Sequence, residues 1–126
     1  NFVDIPIIHD ISEFYSEIYK IGSQLSKHNK LGLHAKIESL CLVILELSIK
    51  SALSARDKKI DMIREIRIKT EVIKRLVRVS NSLKIIDDKK YIFLQGKLQE
   101  ISKQATSWQE YLTQNPVNPP TGRNRV

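Results

Sequence analysis

A chain of 126 residues with a formal net charge of +7 and a pI of about 9.6 is long enough for one domain with a real core. Its 41% apolar and 28% charged content is ordinary for a soluble globular protein. One cysteine, Cys41, excludes an intrachain disulfide and suits a reducing compartment. The longest apolar run, residues 40–45, falls far short of the roughly 18 residues a bilayer span needs. The basic balance draws a protein toward nucleic acid, anionic membrane or acidic partners without choosing among them.

Residues 1–7, NFVDIPI, read as an irregular arm, because Pro6 disfavours helix at Ile5. The N-terminal stretch has no basic n-region and too short an apolar run for a signal peptide, so a soluble, cytoplasmic protein is expected. Asp10-Ile11-Ser12-Glu13 has capping-box spacing, and Ile11, Phe14, Ile18, Ile21 and Leu25 follow at intervals of three or four. This predicts a first helix over about residues 10–25. The polar stretch 26–32 reads as a connection.

A second helix is predicted over 33–55. Leu33, Ile37, Leu40, Ile44, Leu47 and Ser51 make one face, while Leu42, Val43, Leu45, Ile49 and Leu53 fill much of the rest. Cys41, set among these, reads as a buried small hydrophobe. So wide an apolar surface belongs to a central helix or to one covered by another subunit. A short turn with Asp57 as N-cap leads to a third helix over 58–84, antiparallel to the second. A fourth helix, capped by Asp87 or Asp88, spans 89–112. Its seam of Tyr91, Leu94, Leu98, Ile101, Ala105, Trp108 and Leu112 is the pattern a bundle uses. Gly96 within it would allow close approach of another helix. Residues 113–126, rich in proline, read as a disordered tail. The fold expected is all-α: an antiparallel up-down-up-down four-helix bundle.

Catalytic and metal chemistry find little purchase in the pattern. His9, His28 and His34 show no HxxxH spacing, no Glu-x-x-His pair occurs, and all three histidines read as surface residues. There is no G-x-S-x-G and no glycine-rich phosphate loop. Glu38 and Glu46 read as solvated or interfacial. The expectation is a protein that is not an enzyme, with no cofactor and no metal.

The third helix is the exception. On a helical wheel Arg64, Arg67, Glu71, Lys74, Arg75 and Arg78 crowd into an arc of roughly 100°. Most of the remaining circumference is apolar, about twice what a lone bundle helix needs. Residues 56–84 hold ten Lys or Arg against four Asp or Glu, so most of the net charge is concentrated here. Five cations, Arg64, Arg67, Lys74, Arg75 and Arg78, are the candidate phosphate contacts. The competing reading is a solvated face in which Glu65 pairs with Lys69 and Glu71 with Arg75. Membrane binding is less well supported, because the apolar face is needed for packing.

The chain resembles the four-helix-bundle family of Avd, the accessory variability determinant of diversity-generating retroelements, and the related proteins encoded in intervening sequences of bacterial ribosomal RNA. The residues that carry the resemblance are Tyr19 through Leu31-Gly32, Leu45-Glu46-Leu47 with Ala52, and Lys74-Arg75-Leu76-Val77-Arg78-Val79. Leu83-Lys84-Ile85-Ile86, Lys89-Lys90-Tyr91, Leu98-Gln99-Glu100-Ile101-Ser102-Lys103 and Trp108 complete the set. The resemblance implies a non-catalytic homopentamer that binds a reverse transcriptase and RNA or other nucleic acid in support of mutagenic cDNA synthesis. The alternative within the same superfamily is an intervening-sequence type bundle with a structural or unknown role.

Overall fold

A computed structural model describes residues 5–114. Five helices follow in order: α1 (Pro6–Gly22), α2 (Lys27–Leu31), α3 (Leu33–Leu53), α4 (Arg56–Ser82) and α5 (Asp88–Gln114). The four long ones form the expected bundle. α3 packs on α1 and α4, α4 on α5, and α5 back on α1, so consecutive long helices run antiparallel. Residues 1–4 and 115–126, which include most of the arm and of the predicted tail, lie outside the described residues.

The core is built from one stripe of each long helix. Ile7, Ile11, Phe14 and Ile18 of α1 meet Ile37, Cys41 and Ile44 of α3. Ile63, Ile66, Ile73 and Val77 of α4, with Leu94, Leu98, Ile101 and Ala105 of α5, complete it, all at most 2% exposed. Each buried Ile or Leu contributes about 1.5–3 kcal/mol of transfer free energy. Two polar residues inside this stripe are accommodated locally, since Ser48 Oγ donates to Ile44 O at 2.8 Å and Thr70 Oγ1 to Ile66 O at 2.7 Å.

Helix ends differ from expectation where backbone chemistry overrides side-chain spacing. α1 begins at Pro6, not Asp10, with extended Ile5 as its N-cap. Proline at N1 lacks only an N–H that would be unpaired anyway. Asp10 therefore sits inside the helix, where its Oδ2 accepts from Gln104 Nε2 of α5 at 2.5 Å. α1 stops at Gly22, and the predicted connection contains α2, capped by Ser26 Oγ accepting from Asn29 N at 3.3 Å. Ala55, not Asp57, is the N-cap of α4. Asp57 lies in the first turn, where its charge favours the positive end of the helix dipole.

At its far end α4 closes in a Schellman arrangement. Ile85 N donates to Ser80 O and Lys84 N to Asn81 O, both at 2.9 Å, with Lys84 at φ 62° where glycine is usual. Asp87 caps α5 as expected, its Oδ1 accepting from Lys90 N at 2.8 Å. α5 continues through Thr113 and Gln114, which were read as tail.

Three further expectations are corrected. His34 is not a surface residue: it is 1% exposed and its Nε2 donates to Ile18 O at 2.7 Å. Among the described residues no other element comes within 4 Å of where a Cβ on Gly96 would lie, so this glycine serves no close packing between the helices of the bundle. Glu71 pairs with Lys74 at 2.9 Å rather than with Arg75. The surplus apolar surface read from the helical wheel is present, with Leu42 and Leu53 on α3 and Ile68 and Val72 on α4 exposed.

Candidate nucleic-acid interface

The core positions of α4 determine where its charges go. With Ile63, Ile66, Ile73 and Val77 turned inward, the next arc of the wheel toward α5 holds Arg67, Glu71, Lys74 and Arg78. Arg64 and Arg75 follow just outside it. The stripe therefore lines the groove between α4 and α5.

All five predicted cations lie along this groove, but they are engaged differently. Arg64 Nη1 pairs with Asp61 at 2.9 Å on the same helix. Arg67 Nη1 donates across the groove to Gln109 Oε1 at 2.6 Å. Lys74 Nζ reaches Glu71 at 2.9 Å and Gln99 Oε1 at 3.2 Å. Its side chain is only 19% exposed, the deepest of the set. Arg75 and Arg78 are exposed and have no hydrogen-bond or acidic partner among the described residues. The predicted Glu65–Lys69 pair is present at 2.7 Å, away from the groove.

Two hollows follow one another along the groove. The first is lined by Arg64, Arg67, Ile68, Glu71, Ser102 and Thr106. The second, about 380 Å³, is lined by Glu71, Lys74, Arg75, Arg78, Tyr91 and Gln95. Glu71 stands between them, its carboxylate held by Lys74 and by Ser102 Oγ at 3.4 Å.

Sequence reasoning missed the α5 wall entirely. Gln95, Gln99, Ser102, Thr106 and Gln109 recur at intervals of four, three, four and three beside the apolar seam. That uncharged polar stripe was a usable signal, because a surface helix with no functional neighbour usually carries charges there. Facing arginines, it supplies hydrogen-bonding groups without opposing charge. Such a groove can hold an anionic backbone and present neutral polar groups to it.

Among the described residues no group of three or more His, Cys, Asp or Glu could hold a metal ion, and no helix is long and apolar enough to cross a membrane. A larger apolar cleft of about 700 Å³ lies elsewhere, with Ile5, Pro6, Ala52, Trp108 and Tyr111 in its wall.

The fold and the groove define an all-α antiparallel bundle whose conspicuous surface feature is a strip of cations. The chain belongs to the bAvd-like family, whose model matches residues 7–112. No curated protein and no solved structure matches it.

Proposed function

We propose that the protein is a non-catalytic accessory subunit of a diversity-generating retroelement, which binds RNA through the α4–α5 groove and assists a reverse transcriptase in mutagenic cDNA synthesis. Membership in the bAvd-like family supports the retroelement setting. The observation that carries the binding reading is the pair Arg75 and Arg78, two guanidiniums with no acidic partner among the described residues in a groove where the remaining cations are already held in place. Arginine suits phosphate because its planar fork can donate two parallel hydrogen bonds.

Assembly as a homo-oligomer, a pentamer by family resemblance, completes the proposal. Supporting it, the antiparallel topology brings exposed Tyr19, Leu31, Leu83, Ile92 and Phe93 to one end of the bundle. Apolar residues grouped in this way mark contact surfaces. A closed ring would repeat the groove and convert modest affinity into avidity. The place of action is the cytoplasm.

Titration of a labelled RNA at increasing salt tests the binding. Neutralisation of five phosphates gives a slope of log K against log salt of about −3.5 to −4.5. Affinity indifferent to salt, or unchanged in Arg75→Glu with Arg78→Glu, would overturn it. Light scattering tests assembly, which requires a mass several times 14.6 kDa. The second reading, an intervening-sequence type bundle with a merely solvated basic face, is favoured by the intrahelical Arg64–Asp61 and Lys74–Glu71 pairs and predicts no RNA binding.

A further inference from the structure

We propose that the hollow between Arg75, Arg78 and Tyr91 receives one unstacked base of a single-stranded nucleic acid, with the phosphates on either side held by the two guanidiniums. The inference rests on the nucleic-acid reading above and narrows it to single strands.

Three observations converge on this one hollow. Arg75 and Arg78, the two cations of the stripe with no partner among the described residues, both line it. The one aromatic residue in its wall among the described residues is Tyr91, which is half-buried and packed against the core. A ring already fixed by packing loses little conformational freedom when a base stacks on it. The third is Gln95, whose Nε2 is committed to Lys74 O at 3.0 Å. Its Oε1 remains as a hydrogen-bond acceptor suited to an N–H on the edge of a base, the N3–H of uracil included. Cation, aromatic face and amide carbonyl together are the components of a nucleotide site rather than of a phosphate site alone.

A duplex could use only part of this. Its bases are stacked and paired, so it offers phosphates to Arg75 and Arg78 but no free base face to Tyr91. Single strands carry both. Stacking is tolerant of base identity, since every base has a π-face, so a preference for single strands without strong sequence preference is expected.

Anisotropy titrations with a fluorescent polyuridine strand and an RNA duplex of equal length test this on the full chain. Tyr91→Leu should weaken single-strand binding about tenfold and leave duplex binding unchanged, whereas Tyr91→Phe should retain single-strand affinity. Photo-crosslinking the unaltered protein to a thiouridine strand, read by mass spectrometry, should label the peptide containing Tyr91 and does not depend on how the variants fold. Equal loss for strand and duplex in Tyr91→Leu, no loss in either, or crosslinks confined to α4 would overturn the stacking and leave the phosphate reading standing. Failure of both probes to bind at low salt would remove that reading as well.

Discussion

His34 occupies the space that a side chain on Gly22 would need. A Cβ on Gly22 would lie 3.0 Å from His34 Cδ2 and 3.1 Å from its Nε2. A carbonyl can only accept, so the hydrogen bond to Ile18 O at 2.7 Å places the proton on Nε2 and joins the start of α3 to the end of α1. Glu38 Oε2 stands 3.9 Å from the same nitrogen. Gly22→Ala is expected to destabilise by about 1–2 kcal/mol, although alanine is the better helix former by about 1 kcal/mol, because the imidazole must move and weaken its bond. His34→Ala, which leaves a cavity, should cost about 2–3 kcal/mol. In the double variant the two losses should fall short of their sum, since the clash has gone. Urea denaturation midpoints measure all three.

Cys41 is fully buried, and burial, with the nearby negative charge of Glu38 in second place, pushes its thiol up to about 12. A thiol held protonated in this way is a poor nucleophile. The native protein should resist an aromatic disulfide reagent at pH 8 and react at once in denaturant. Its folded value is raised above the unfolded one, so the protonated thiol's contribution to stability is complete below about pH 9. It is then lost progressively as pH rises toward about 12. Cys41→Ala should flatten that alkaline decline relative to the parent chain.

The four long helices were legible because their apolar residues recur with the period of a helix and their cores ask for nothing else. Boundaries were less so. Pro6 was read as a breaker from its effect on Ile5, but at N1 the same ring favours the helix, and no residue pattern separates these outcomes without knowing where the chain turns. His34 was misread because histidine has no hydrophobic signature of its own. Its burial depends on Gly22, twelve positions away. The stripe on α4 was visible as charge, and its direction followed once the core face was known. Its division into paired and unpaired cations depends on Asp61, Glu71 and α5 glutamines, which spacing alone does not assign.

Lys84 holds a left-handed backbone at φ 62° so that α4 can close on Ser80 and Asn81. For a residue with a Cβ this conformation costs about 1–2 kcal/mol, and glycine gives part of that back through its greater unfolded-state freedom. Lys84→Gly should therefore raise stability by roughly 0.5–1 kcal/mol, whereas Lys84→Val, β-branched, should lower it by more than that. Thermal melts on the two variants check the sign of each.

Glu71 lines both hollows of the α4–α5 groove with its carboxylate, and it holds Lys74 at 2.9 Å. Two-thirds of its side chain is exposed, so the pair contributes at most about 1 kcal/mol to folding. Its effect on an anionic ligand is larger, because it opposes approaching phosphates directly and occupies the ammonium that would otherwise meet them. Glu71→Gln keeps the shape and the hydrogen bond from Ser102 Oγ but removes the charge. RNA affinity should rise about threefold to tenfold as Lys74 meets its phosphate without a competing carboxylate, while the salt slope stays within the range of about −3.5 to −4.5 set by five contacts. Anisotropy titration over a range of salt concentrations reads both quantities in one series. An affinity that stays constant or falls would place the bound phosphates away from this groove.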